Sequence, residues 1–233
     1  MTSEDLQSVA YRHLLDLIDE RHFEPGAIYS ERRIASEIGI SRTPVRDAIQ
    51  KLIQEGYLEV VPSRGFRLHE MDRRDIVETF QARSAIEGYC AVKLADEHDT
   101  ADGQTAIEQL ADLTRLQERI LAETGDMGQF LEADNRFHEV LVAYPGNKRF
   151  NETFSSLLHR IKTLATGSLE HEGRGEETVR EHHAILEAIG RGDSQLAYAR
   201  TLAHMDRPQL LNLSDLQQPS SDSPDVPVAE RRA

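Results

Sequence analysis

Four side chains in the second half of the chain are of types that bind transition metals, and they interrupt helical faces that are otherwise apolar. Asp134 and His138 are one helical turn apart in FLEADNRFHEVLVAY, so both can reach one point. His182 is in register with the apolar residues of REHHAILEAI, whereas the neighbouring His183 points about 100° away from that face. His204 shares a face with small residues in ARTLAHM. The spacing therefore predicts inward-facing ligands at Asp134, His138, His182 and His204.

One carboxylate and three imidazoles suit a divalent transition metal, with zinc first and nickel, manganese or iron as alternatives. Such a set leaves coordination positions for water or for a ligand oxygen. The same spacing also fits three unrelated histidines, each satisfied by hydrogen bonds, and an aspartate on a helix surface. A bound metal could activate water in an enzyme, or it could only stabilise the surrounding helices.

An enzymatic role needs a general base or a nucleophile beside the metal, and no motif in the sequence supplies either. Glu139 and Glu181 are next to predicted ligands along the chain, but helical geometry points both away from the ligand face. We therefore predict a protein that binds a metal and a ligand rather than an enzyme.

A second candidate site is a basic segment in an acidic chain. The formal net charge is -14, yet residues 32–67 contain seven basic and four acidic residues. Within it, SRTPVRDAIQKLIQEG places Arg42 and Arg46 at the front of a short helix, where the positive end of the dipole disfavours them. A negative partner outside the protein, such as a DNA phosphate, would relieve this conflict. The acidic remainder argues against general affinity for nucleic acids.

The elements around this segment predict a winged helix-turn-helix in residues 1–70. Apolar residues recur at helical spacing in residues 4–21, 31–38 and 41–56. Pro25-Gly26 separates the first segment from the second. YLEVVPSRGFRLHEM then alternates as two short strands around a PSRG turn. A helix-turn-helix places the start of its second helix at base edges in the major groove.

Arginine is suited to guanine, and the wing tip can reach the minor groove. The predicted DNA contacts are Arg32, Arg42, Thr43, Arg46, Arg64 and Gly65. The alternative for the arginines is a solvated face paired with nearby acidic residues.

From residue 73 to residue 212 the pattern is helical throughout, in six segments separated by glycine and proline. The fold class is therefore mainly α, with the winged helix followed by an all-helical domain. Residues 214–233, rich in Ser, Pro and Asp, are predicted to be a disordered tail. The chain has one cysteine, no long apolar run and no signal-like start, so we expect a cytoplasmic protein without a membrane span.

SERRIASEIGISRTPVRDAIQKLIQEGYLEVVPSRGFRL resembles the winged helix of the GntR transcription factors. The resemblance rests on the acidic-arginine start, on SRTPVR with its following alanine, on the leucine before EG, and on the wing glycine. It implies DNA contacts at Arg32, Arg42, Thr43, Arg46 and Gly65.

Residues 73–212 are similar to the FCD domain, the effector-binding domain of FadR-type GntR regulators. The matching pieces are Arg83 with Glu87, Asp134 with His138, Gly146-Asn147, EHHAILEAI, and the closing His204. The resemblance implies that Asp134, His138, His182 and His204 bind a metal and that a small carboxylate binds beside it.

Arg83 is the predicted second anchor for this carboxylate, through a bidentate pair, and Arg160 is a weaker candidate. The alternative for Arg83 is a salt bridge to Glu87 one turn away. Together these features predict a ligand-responsive repressor. It should be a homodimer on a palindromic operator, because one recognition helix reads only a half-site.

Overall fold

The structure, a computed structural model, describes residues 3–19, 22–24 and 26–217. Within these residues the chain forms nine helices and one two-stranded antiparallel sheet. The mainly α fold, with a hairpin between two groups of helices, confirms the predicted fold class. None of the described helices combines the length and apolar character that crossing a membrane requires.

The N-terminal part is three helices and a hairpin around one apolar core. The elements are α1 (Ser3–Asp19), α2 (Glu31–Ile38), α3 (Arg42–Gln54), β1 (Leu58–Val61) and β2 (Gly65–Leu68). Leu14, Leu52 and Phe66 are among the buried residues that hold them together. A side chain at Gly65, where φ is +139°, would strike the carbonyl oxygen of Tyr29, so glycine lets the hairpin lie close to the chain before α2.

Six further helices form the C-terminal part. They are α4 (Arg73–Asp96), α5 (Ala101–Glu123), α6 (Met127–Ala143), α7 (Lys148–Leu169), α8 (Arg174–Gly190) and α9 (Ser194–Asp215). Their apolar faces meet in a core that includes Leu94, Leu110, Phe137, Leu141 and Ile189, each almost without exposed surface. This core surrounds the polar residues described below.

The last helix is longer than the sequence predicted. The tail was expected from residue 214, but α9 continues to Asp215 and a turn follows through Gln217. Asn212 explains part of this extension, because its Nδ2 donates to the carbonyl oxygens of Leu164, at 3.0 Å, and Pro208, at 2.7 Å. Residues 218–233 lie outside the described residues, so the predicted disorder of that segment stays a prediction.

A polar cluster joins the wing to the C-terminal helices. Asp75, near the start of α4, accepts from His69 Nε2 at 2.8 Å and lies 3.1 Å from Arg160 Nη1 on α7. Tyr57 stacks on His159 with ring centroids 3.6 Å apart. Arg160 was a weaker candidate for the effector site, but it contacts this junction instead.

The start of α4 is a capping box. Asp72 Oδ1 accepts from the backbone N–H groups of Arg74 and Asp75, and Asp75 Oδ2 accepts from the Asp72 N–H at 3.1 Å. Each group would otherwise lack an intrahelical partner.

We expect Asp72→Ala to lower the free energy of unfolding by about 1 kcal/mol, because it removes an N-cap acceptor. Asp72→Asn, which keeps a side-chain acceptor at the same position, is the matched control and should stay near the wild type. Urea unfolding followed by circular dichroism measures both. Equal stability of the alanine and asparagine variants would contradict the capping role.

Candidate functional site

Three imidazoles from three helices meet inside the C-terminal helices. His138 on α6, His182 on α8 and His204 on α9 are all buried, and one ring nitrogen of each lies within 4.8 Å of the others. His183, the neighbour of His182, is exposed and pairs with Glu118 instead. The structure therefore brings together the three histidines that the sequence singled out.

Each of these rings is held through its Nδ1 atom. The pairs are His138 with Glu87 at 2.5 Å, His182 with the side-chain oxygen of Gln117 at 2.8 Å, and His204 with Glu181 at 2.7 Å. A partner that fixes Nδ1 leaves Nε2 free to bind, which is the usual arrangement around histidines that ligate metals.

The protonation of the partners decides which nitrogen carries the proton. Burial raises the pKa of Glu87, but the Arg83 guanidinium and His138 outweigh this effect and hold the pKa at about 2. Burial likewise raises the pKa of Glu181, and hydrogen bonds from His204 and Arg174 lower it below its usual value. Both carboxylates are therefore ionised acceptors at neutral pH, so the rings donate through Nδ1–H.

The Nε2 atoms of the three rings lie near one another. His138 Nε2 and His204 Nε2 are 3.3 Å apart, and the buried His182 Nε2 has no hydrogen-bond partner within the described part of the chain. Burial lowers the pKa of His182 well below its ordinary value, so that ring is neutral. A proton shared by two such nitrogens, or a metal ion between them, makes this close approach favourable. Two nitrogens bound to zinc at about 2.0–2.1 Å can stand this far apart.

Asp134 is the fourth predicted ligand and lies beside the three rings. Its carboxylate oxygens are 3.9 Å from His138 Nε2 and 3.7 Å from His182 Nε2. Gln117 Nε2 donates to Asp134 Oδ1 at 3.2 Å, so one amide orients both this carboxylate and His182. The cluster whose ligand atoms come together consists of the three histidines, with Asp134 beside it, and one carboxylate with three imidazoles is a donor set that fits a divalent transition metal.

Sequence reasoning missed the residues that hold the rings. Glu87 was considered only as a partner of Arg83, and Gln117 was not considered. Glu181 was predicted to point away from the ligand face, but it contacts His204 because α9 packs against the side of α8 that carries Glu181. Glu87 and Gln117 are polar residues on the buried faces of α4 and α5, and this position was the signal that could have identified them as partners of the rings.

A small cavity adjoins the three rings, and we refer to it as the central cavity. Its lining includes Asp134, His138, His204, Arg83, Arg174, Phe80, Leu169 and Pro208, with smaller residues. Its volume open to the centre of a water molecule is about 20 Å³, which is room for about one water.

Arg83 forms the salt bridge that was one of its two predicted roles, and its role as a ligand anchor stays a prediction. Its Nε donates to Glu87 at 2.7 Å, which is the predicted salt bridge one turn along α4. Its Nη2 is buried without a hydrogen-bond partner among the described residues, and the side chain lines the central cavity. The pairing to Glu87 therefore leaves part of the guanidinium free for a ligand.

The arginines at the front of α3 have a negative partner inside the chain. Arg46 donates to Glu31 through Nε at 3.1 Å and through Nη2 at 2.9 Å, and Arg42 Nη2 is 3.4 Å from the same carboxylate. The hydrogen bond from Arg46 lowers the pKa of Glu31, which is therefore ionised at neutral pH. The sequence had placed the negative partner outside the protein.

The predicted DNA contacts share one exposed surface. Arg32, Arg42, Thr43, Arg46 and Arg64 are exposed, and Gly65 is half-buried at the start of β2. Ser41 occupies the N-cap position of α3 but makes no capping hydrogen bond with its side chain. Exposed ion pairs such as those of Glu31 are weak, so they leave the arginines available to phosphates and bases.

Comparison with known proteins yields two families. Residues 6–68 match the family described as bacterial regulatory proteins, gntR family, and residues 78–207 match the FCD domain. The HTH-type transcriptional repressor RspR of Escherichia coli (strain K12) is 26% identical over 182 residues, which cover 78% of this chain and 77% of that protein.

Solved structures share the fold. A GntR protein from Rhodococcus sp. RHA1 superposes with a TM-score of 0.69 at 23% identity, over 89% of this chain and 97% of that one. The Zn²⁺-bound FCD domain of TM0439 superposes with a TM-score of 0.51 at 21% identity, over 63% of this chain and 97% of that one.

Proposed function

The chain belongs to the GntR family of bacterial transcriptional regulators, with an N-terminal helix-turn-helix domain and a C-terminal FCD domain, and we propose that it is a metal-dependent, effector-responsive repressor. The families and the relatives are transcriptional regulators and not enzymes. In the proposed function, Asp134, His138, His182 and His204 hold a divalent metal, and a small carboxylate binds beside it and changes operator affinity.

The converging Nε2 atoms are the observation that carries this proposal. Three rings are fixed through Nδ1, one nitrogen of each lies within 4.8 Å of the others, and His182 Nε2 has no hydrogen-bond partner in the described part of the chain. The Zn²⁺ in the FCD domain of TM0439 supports zinc as the first choice, and the same ligands also suit nickel, manganese or iron. The metal would supply a positive charge and open positions that an acidic oxygen can occupy.

The carboxylate would bind between the metal and Arg83. Arg83 is 4% exposed and carries an unpartnered Nη2 into the central cavity, so a carboxylate oxygen there would receive a charge-assisted hydrogen bond. A purely structural metal is the alternative, and a response of operator binding to acids distinguishes the two.

DNA would be read by the first turn of α3. Arg42, Thr43 and Arg46 are placed to meet base edges in the major groove, while Arg32 meets phosphate and Arg64 and Gly65 reach the minor groove. One such domain reads a half-site, so the active species would be a homodimer on a palindromic operator in the cytoplasm. RspR, a relative, is a repressor, which supports repression rather than activation by this protein.

Helix α4 is the proposed route between the two sites. It carries Arg83 at the central cavity and Glu87 against His138, and its first turn contacts the wing through Asp75 and His69. Helix α7 adds a second link, because it lines the cavity with Ala165 and reaches Asp75 with Arg160. A ligand that changes the packing of α4 and α7 would thereby change the orientation of the winged helices.

The first test is metal content. We expect wild-type protein without a histidine tag to contain roughly one transition metal per chain, and His182→Ala to lose most of it because one ligand is gone. His183→Ala is the matched control, since this neighbour on α8 is exposed and lies outside the cluster. Elemental analysis by mass spectrometry measures all three. A wild type that remains free of metal after reconstitution with zinc would refute the metal site.

The second test concerns DNA. We expect Arg46→Ala to lower affinity for sequences selected from random DNA by about 10- to 100-fold, because it removes a bidentate base contact. Arg115→Ala removes the same charge from an exposed position on α5 and should change affinity little. Fluorescence anisotropy titrations at one fixed salt concentration compare the two. An unchanged DNA affinity of Arg46→Ala would show that Arg46 does not contact the bases.

The third test concerns coupling. A panel of small acids is first ranked by thermal shift on zinc-loaded protein, and the most effective acid is used in operator titrations. We expect Arg160→Ala to keep metal content and operator affinity while reducing the acid-induced change in affinity, because the link between α7 and Asp75 is lost. Arg149→Ala, an exposed charge on the same helix, is the control. If Arg160→Ala keeps the full acid-induced change in operator affinity, coupling through the contact between α7 and Asp75 is excluded.

A further inference from the structure

Gln117 on α5 connects two of the predicted metal ligands. Its side chain is completely buried, with 0% of its surface exposed. Nε2 donates to Asp134 Oδ1 at 3.2 Å, and Oε1 lies 2.8 Å from His182 Nδ1. One amide therefore uses both of its ends on predicted ligands that come from two other helices, α6 and α8. Burial of an amide requires hydrogen-bond partners, but it does not require that both be metal ligands.

The carboxylate of Asp134 decides which way this amide points. A carboxylate oxygen accepts and an amide nitrogen only donates, so Nε2 faces Asp134 and Oε1 faces His182. Since Oε1 only accepts, the proton of the imidazole lies on His182 Nδ1. A further proton on Nε2 would be buried without an acceptor among the described residues. Asp134 thus fixes the tautomer of His182 through Gln117.

The same hydrogen bond decides which oxygen of Asp134 is offered to a metal. Gln117 holds Oδ1, and Oδ2 is the oxygen that lies 3.9 Å from His138 Nε2. Asp134 is not one of the three residues whose ligand atoms already come together. Its connection to that cluster is the amide that it shares with His182.

The position of Gln117 requires an amide, although glutamates hold the other two rings. A glutamate at position 117 would place a second carboxylate against Asp134 at the distance of this hydrogen bond. Two carboxylates that share a buried site repel each other. A side chain with a donor at one end and an acceptor at the other contacts both Asp134 and His182 without this repulsion.

We propose that Gln117 is the positioning residue of the metal site and that it holds His182 and Asp134 ready to bind through Nε2 and Oδ2. This inference rests on the proposed function, because it assumes that a metal binds at the cluster. Gln117 then contributes to metal affinity without touching the metal, because ligands that are already held in place lose less freedom on binding.

The first test determines the tautomer of His182 in wild-type, full-length protein before zinc is added. Long-range proton–nitrogen NMR spectra distinguish a protonated ring nitrogen from an unprotonated one, and comparison with His182→Ala assigns the signals. We expect the proton on Nδ1 and none on Nε2. This measurement needs no folded variant at position 117. A proton on Nε2 in the wild type would overturn the inference.

The second test measures zinc affinity by competition with a chelator. Gln117→Met keeps the length of the side chain but not its hydrogen bonds. We expect it to bind zinc about 10- to 100-fold more weakly, as the loss of a partner of a metal ligand typically does. Thr114→Val is the matched control, because it removes a buried hydroxyl of α5 that bonds to Leu110 of the same helix. Unchanged affinity of Gln117→Met, or an equal loss in Thr114→Val, would overturn the inference.

Combining Gln117→Met with Asp134→Ala separates positioning from a general loss of packing. Since Gln117 acts partly through Asp134, we expect the two losses of zinc affinity to fall short of adding by at least about 3-fold. Strict additivity would overturn the positioning role and leave the proposed function standing. A wild type that binds no zinc would refute the proposed function, and the inference with it.

Discussion

Placing three imidazoles close together in a helical interior is the constraint on which the C-terminal part depends. An unpartnered buried nitrogen is costly, and the Nδ1 atom of each ring is accordingly held by a polar side chain. Glu87 comes from α4, Gln117 from α5 and Glu181 from α8. Ring orientation thus depends on the relative positions of five helices.

The same constraint places two ionised carboxylates inside or at the edge of the protein. Buried charges are tolerated only when they are paired, and Arg83 and Arg174 are the partners of Glu87 and Glu181. Each arginine is longer than this pairing requires and directs its remaining N–H groups into the central cavity. Polar residues that stabilise the imidazoles thereby also line the proposed ligand site.

Helix α4 connects this interior to the wing. Its first turn is fixed by the capping box of Asp72 and Asp75, and Asp75 also contacts His69 and Arg160. Further along, α4 provides Arg83 and Glu87. Packed interfaces switch between discrete arrangements more readily than they deform, so a change at the cavity can reach the DNA-binding surface through one rigid element. In the winged helix, Glu31 pairs with Arg42 and Arg46.

The sequence determined the elements of this protein, because helix and strand periodicity and the residues at helix ends act over a few positions. It also identified the basic helix start and the inward-facing Asp134, His138, His182 and His204. The tertiary structure decided what these residues contact. His138 and Glu87 are 51 residues apart, His182 and Gln117 are 65 apart, and Arg46 and Glu31 are 15 apart. Such pairs depend on how helices pack, and local spacing carries no information about them. For the same reason, Arg174 became visible as a wall of the cavity only when α8 lay against α4 and α9.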